Sequence, residues 1–223
     1  MREIVLDTET TGMDPDDGDR LVEIGCLELI NHLPTGKIFH VYLNPQREVP
    51  ADAVRVHGLT TEFLQDKPLF AEVVGDFKEF IADSTLVIHN AEFDMKFINA
   101  ELKWTGFKAL SMSRVTDTLL MARKKFPGQP ANLDALCRRF KVDNTERTLH
   151  GALLDSELLA EVYLELLGGR QHGLGLGASG RDGAGGRVKI KTQDRPHRSF
   201  PPSEEERATH QAFLEEVKGH MWG

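Results

Sequence analysis

The sequence predicts an α/β domain built on a mixed five-stranded sheet flanked by helices. Three observations carry this reading. Three strand-like stretches near the start are joined by short polar connections, the pattern of an antiparallel meander. Strand and helix periodicities then alternate, which is how layered α/β domains with a mixed sheet are made. After Leu167 the composition breaks into a glycine-rich stretch, which bounds the domain.

The elements follow in order. Ile4, Val5 and Leu6 open a strand that ends in the polar turn Thr8 to Gly12. Leu21 to Ile30 alternates loosely and reads as a second strand, and Lys37 to Leu43 as a third. Asp14 to Arg20 and Asn31 to Gly36 are their connections. Ala51 to Gly58 reads as a short helix closed by its glycine. From Lys67 to Ala82 the residues Phe70, Val73, Val74, Phe77, Phe80 and Ile81 recur at spacings of three and four, a helix with one apolar face. Leu86 to Ile88 is a short buried strand running into His89 and Asn90. Glu92 to Trp104 is helix-patterned, and Arg114 to Asp117 is a last short strand. Helical patterns close the domain at Thr118 to Lys125, Leu133 to Phe140 and Ala152 to Leu167.

The domain expected is residues 1–167. Residues 168–194 read as a flexible linker, with nine glycines between Gly168 and Gly186. Residues 195–223 read as a docking segment. Ser203 and Glu206 have capping-box spacing, and the helix they start carries Phe213, Leu214 and Val217 on one side.

Composition narrows the class. With 223 residues, 40% hydrophobic and 28% charged, the chain suits one soluble domain with an extension. It has no apolar run of about 18 residues, so no membrane span is expected. Met1 and Arg2 lead straight into a strand, unlike a signal peptide. Cys26 and Cys137 lie in apolar-patterned segments without CxxC spacing, as reduced thiols of a cytoplasmic protein would. The net charge of −8 argues against broad electrostatic grip on a duplex, but not against an enzyme that holds a short strand through metal ions. The tail from Gly168 onward is the exception, with nine basic and seven acidic residues.

The chemistry is carried by carboxylates. Asp7 and Glu9 are two apart on a strand, so they project from one face. Two like charges on a buried strand repel, and such a pair needs a cation, a shared proton or solvent. A solvated strand end remains the plain alternative. Asp94 stands near the start of a helix, where a carboxylate also serves as a partner of the helix N-terminus. Asp155 is flanked by Leu153, Leu154, Leu158 and Leu159, an odd place for a surface charge. His150 lies five residues before it, about 140° around a continuous helix, so Gly151 predicts a loop for His150 before the helix begins. Four carboxylates without thiols select hard cations, Mg²⁺ or Mn²⁺, and four charges balance two such ions. Two ions about 3.5–4 Å apart support in-line displacement at phosphorus. A histidine, which ordinarily titrates near pH 6.5, can take the proton from the attacking water.

Together, DTETTG from Asp7, HNAEFD from His89 and LHGALLD from Leu149 resemble the DEDDh group of 3′→5′ exonucleases on a ribonuclease-H-like fold. VHGLT at Val56–Thr60, VTDTLLMARKKFPG at Val115–Gly128, LDALCRRF at Leu133–Phe140 and TLHGALLDSELLAEVYL at Thr148–Leu164 look like the proofreading subunits of bacterial replicative polymerases. The resemblance covers nearly all of residues 1–167. It implies that Asp7, Glu9 and Asp155 hold one ion, that Asp7 and Asp94 serve the second, and that His150 is the general base. It implies further that Thr8, Gly12, Met13, Val56, His57 and Phe93, beside Asp7, Glu9 and Asp155, line the pocket for a DNA 3′ end. Asp52 stands at a pocket position where the family can have Glu. Gln171, Leu174 and Leu176 resemble the peptide with which sliding-clamp binders engage the clamp. The last segment has the place of the region that docks on the polymerase α subunit, and a small θ-like subunit is a further possible partner.

Two other readings compete. An RNA-trimming 3′→5′ exoribonuclease of the same group would share every catalytic residue and would differ in lacking this tail. A non-catalytic adapter between clamp and polymerase would not need the five catalytic-type residues.

Overall fold

The computed structural model describes residues 1–145, 147–169 and 202–216. The chain divides into two compact units, Met1–Leu176 and Gly177–Gly223. The first contains a five-stranded sheet in the order β3-β2-β1-β4-β5, formed by β1 (Arg2–Thr10), β2 (Leu21–Ile30), β3 (Leu33–Tyr42), β4 (Thr85–Ile88) and β5 (Val115–Asp117). β1, β2 and β3 pair antiparallel, and β4 joins β1 in parallel, as does β5 to β4. This is the mixed sheet the meander and the later alternation predict.

The helices are α1 (Ala51–His57), α2 (Thr61–Leu64), α3 (Phe70–Ile81), α4 (Ala91–Trp104), α5 (Thr118–Lys125), α6 (Leu133–Phe140) and α7 (Ala152–Leu167). They cover both faces of the sheet. Ile4 and Leu6 of β1 pack against Phe70, Phe77 and Ile81 of α3 and Met95, Phe97 and Ile98 of α4. Val5, pointing the other way, packs with Leu136 and Cys137 of α6 and Leu158, Leu159 and Val162 of α7. Cys26 and Cys137 are buried free thiols, as their setting predicts. Among the described residues no helix is long and apolar enough to cross a membrane.

Several boundaries differ from the sequence-based expectation, and one element, α2, was not expected. β1 runs on through Thr8, Glu9 and Thr10, so the polar turn begins only at Thr11. β3 starts at Leu33, not Lys37. Asn31 and His32 both take left-handed φ, 51° and 66°, so a two-residue hairpin turn brings Leu33 directly opposite Ile30. α3 begins at Phe70 because Pro68 keeps Lys67 out of helix geometry, and Glu72 then caps it by accepting the Leu69 N–H at 2.6 Å. The four-residue helix α2 is too short to show a period; Thr60 caps it through the Phe63 N–H.

In the second unit the described residues form α8 (Glu204–Glu216). Its capping box is made as expected: Ser203 Oγ accepts the Glu206 N–H at 3.2 Å, and the Glu206 carboxylate accepts the Ser203 N–H at 2.7 Å. Phe213 is 60% exposed on it. Val217, the candidate clamp peptide Gln171, Leu174 and Leu176, and most of the expected linker lie outside the described residues.

Candidate active site

β1 delivers two of the carboxylates. Its alternation turns Ile4, Leu6 and Thr8 toward the α3–α4 layer and Val5, Asp7 and Glu9 toward the α7 layer. Thr8 is therefore placed to donate from Oγ1 to Asp94 Oδ1 of α4, at 2.7 Å. Asp94 sits in the first turn of α4, directly after β4, and is 4% exposed. Asn90, in left-handed geometry with φ 64°, makes the sharp turn from strand to helix. Asp155 sits in the first turn of α7 and is 3% exposed. The two helices cover opposite faces of the sheet, and their first turns meet where β1 and β4 end. That is the carboxyl edge of parallel strands, where layered α/β sheets leave a crevice.

Gly25 of β2 lies opposite Asp7 and allows α7 to come close. A Cβ there would stand 2.3 Å from the Ala152 carbonyl carbon and the Leu153 nitrogen. Ser156 of α7 closes the contact by donating to the Gly25 carbonyl at 3.0 Å.

His150 precedes α7 in a loop, as Gly151 predicts, with its backbone N–H bonded to the Val56 carbonyl at 3.0 Å. Its half-exposed ring places Nδ1 3.5 Å from Asp155 Oδ2. One ligand atom each from Glu9, His150 and Asp155 lies within 4.8 Å of the other two.

The charges are unbalanced. Burial, and then Asp94, Glu9 and Asp155, hold the Asp7 carboxyl well above the usual carboxylate range. Glu9 is pushed up to about 8 by burial first, then by Asp155, Glu23 and Asp94. Burial also raises Asp94, against the opposing hydrogen bond from Thr8.

One cavity of about 780 Å³ collects every site residue that the sequence reading placed in the domain. Asp7, Glu9, Asp94, Asp155 and His150 line it, and so do Thr8, Gly12, Met13, Asp52, Val56, His57 and Phe93. Met13 is 78% exposed and Val56 46%, so neither is a core residue. Phe93 is half-buried, its ring 5.1 Å from that of Phe97. The buried His57 accepts the Leu59 N–H at Nδ1, 3.0 Å away, and burial lowers its pKa. Gly12 leaves room for the Asp19 carboxylate, which a Cβ would meet at 2.2 Å. Asp52 is at the exposed rim, paired with Arg55. The other wall residues include Arg147 and Asp134, neither expected from the sequence: Arg147 donates from Nε and Nη2 to both oxygens of Asp155, at 2.5 and 2.6 Å, and from Nη1 to Asp134 Oδ1 at 2.8 Å. The sequence signal available was only an Arg three residues before His150.

The exonuclease family of the RNase T type matches residues 4–163. A DNA polymerase III subunit epsilon of Rickettsia felis is 52% identical over 223 residues, covering 97% of this chain and 97% of the relative. This chain belongs to the DNA polymerase III epsilon-subunit family. The epsilon subunit of Escherichia coli K12 is 52% identical over 176 residues, 76% of this chain and 72% of its own length. The nuclease domain of 3′hExo, a DEDDh family member solved bound to rAMP, shares the fold, with a TM-score of 0.62 at 17% identity over 74% of this chain and 91% of that one. The epsilon family is one of exonucleases that work with divalent metal ions. The donor set here fits such ions: hard oxygen ligands, no thiolate, and buried carboxylates whose pKa values are raised by burial first and then by one another.

Proposed function

We propose that this chain removes misinserted nucleotides from DNA 3′ ends, as the proofreading 3′→5′ exonuclease subunit of a replicative polymerase. The observation that carries the reading is the meeting of Asp7, Glu9, Asp94, Asp155 and His150 in one cavity.

Asp7, Glu9 and Asp155 would hold one divalent ion, Mg²⁺ or Mn²⁺, and Asp7 with Asp94 would serve a second. Bound there, the ions would supply activation of water and stabilisation of the leaving oxygen. His150 accepts the proton of the attacking water. Its half-exposed ring can pass that proton to solvent, while its backbone tie to Val56 keeps the loop against α1. The water oxygen bonds to phosphorus, the bond to the 3′ oxygen breaks, and that oxygen takes up a proton. The product is a deoxynucleoside 5′-monophosphate.

Met13, Val56, His57 and Phe93 offer an apolar wall for the terminal sugar and base, with Thr8, Gly12 and Asp52 beside it. A base stacks on such a surface without being read for sequence. A mismatched end unpairs at lower cost than a matched one, so selection for errors arises from fraying. The acidic body fits this economy of contact, since tight general DNA binding would digest correct ends as well.

Residues 195–223, with the exposed Phe213 of α8, are proposed to dock on the polymerase α subunit, and Gln171, Leu174 and Leu176 on the sliding clamp. A θ-like subunit is a further partner to test, and the cytoplasm is the expected compartment. Tethering of this kind supplies local concentration in place of affinity.

The test compares the unmodified chain with Asp7→Ala on a frayed DNA primer and on an RNA oligonucleotide, with circular dichroism to follow the fold. Loss of cleavage with the fold intact supports the enzyme, and faster cleavage of DNA separates it from an RNA trimmer. Unchanged cleavage by Asp7→Ala would overturn the assignment.

A further inference from the structure

The wall of the cavity holds one Lys or Arg among the described residues, Arg147. It lies between α6 and α7, and its side chain is 8% exposed. Nε and Nη2 form a fork on Asp155, bonding Oδ1 at 2.5 Å and Oδ2 at 2.6 Å. Nη1 bonds Asp134 Oδ1 at 2.8 Å, and Asp134 is half-exposed. Nη2 also stands 3.0 Å from His150 Nδ1.

A fork of this kind takes both oxygens of a carboxylate from one edge. Arg147 lines the cavity beside Asp155, so a cation taken up there comes to a carboxylate whose two oxygens a guanidinium already holds. Two positive centres a few ångströms apart in a partly desolvated site repel strongly. Asp155 therefore has two claimants, the fork and the ion.

We propose that Arg147 is an exchangeable counterion: it neutralises Asp155 when the carboxylates carry no metal, and a divalent cation displaces it from that edge. Asp134 keeps its bond to Nη1 and serves as the tether on which the guanidinium turns aside. The proposal rests on the reading of Asp155 as an ion ligand. It adds a determinant of ion affinity contributed by a residue that is not itself a ligand. The chain holds its acidic site together without ions through Arg147, and binds them more weakly for that reason.

The experiment uses the full chain with ¹⁵N-labelled arginine. The Nε–H of Arg147, held by Asp155, should give a resolved signal protected from exchange with water, identified by its absence in Arg147→Lys. Saturation with Mg²⁺ should move that signal and speed its exchange at least about ten-fold, because the hydrogen bond to Asp155 is lost. In parallel, calorimetry with Mn²⁺ alone should show Arg147→Gln binding the ion about ten-fold more tightly than the unmodified chain. A signal that stays in place while Mg²⁺ binds, or an Arg147→Gln variant that binds Mn²⁺ equally or more weakly, would overturn the exchange. An Asp155→Asn variant with unchanged Mn²⁺ affinity would instead remove Asp155 from the ion site, and would overturn the reading beneath the proposal together with it.

Discussion

Gly25→Ala tests whether the approach of α7 to β2 positions the site. The added methyl would lie 2.3 Å from the Ala152 carbonyl carbon and 2.4 Å from its oxygen. Carbon atoms rest about 3.5–4 Å apart, so the first turn of α7 must retreat by about 1 Å. Both neighbours are backbone, and no side chain can rotate to relieve the contact. Overpacking of this kind costs about 1–3 kcal/mol. The Ser156 bond to the Gly25 carbonyl, now 3.0 Å, stretches as the helix withdraws. Leaving those buried groups short of a partner adds about 1–3 kcal/mol. Asp155, one turn along from Ala152, travels with the helix, and a displacement near 1 Å in a catalytic group lowers rate about 100-fold. Urea unfolding with saturating Mg²⁺ should therefore show a loss of about 2–6 kcal/mol, given these two contributions. Turnover on a mismatched primer should fall about 100-fold with KM little changed. A variant within about 0.5 kcal/mol of the parent and within two-fold in turnover, the range of a neutral surface change, would refute this account of α7.

Other outcomes are expected of the same site. Folded Glu9 keeps its proton to about pH 8, whereas unfolded chains release theirs near the ordinary glutamate value of 4.5, so stability in EDTA should fall as pH rises through that window. Asp7 and Asp94 act in the same direction, Mg²⁺ should reverse the loss, and equal or greater stability at pH 9 than at pH 6 in EDTA would contradict it. Thr8→Val should cost about 1–3 kcal/mol in a urea titration, because Asp94 Oδ1 is left buried without its donor. An unchanged midpoint would show that the hydrogen bond contributes nothing. His150→Gln should lose about 10²–10⁴-fold in turnover while calorimetry finds Mn²⁺ binding retained; loss of ion binding with the rate per bound ion kept would make His150 a ligand instead.

Much of the site was legible because its parts obey local periods. Asp7 and Glu9 share a face by the two-residue repeat of a strand. Asp155 stood out as a charge among leucines, and Gly151 predicted the break that leaves His150 in a loop. Arg147 was not legible, since its fork on Asp155 is made across the turn between two helices, where no period relates the residues. Gly25 was silent for a related reason: its φ is ordinary, and only the backbone of α7, over a hundred residues away in sequence, forbids a side chain there. The start of β3 was hidden by Asn31 and His32, which take left-handed geometry without the glycine that usually marks it.

Asp94 and Asp155 reach the crevice from helices on opposite sides of the sheet, so the ligands proposed here span the full thickness of the domain. Cations shared by them would act as a clasp between the two layers. Any fault that lets one layer slide on the sheet would spread the jaws of that clasp while leaving most of the core dry. Editing would then fail well below the melting temperature, and remote packing substitutions would raise mutation rates in cells that still contain normal amounts of folded protein.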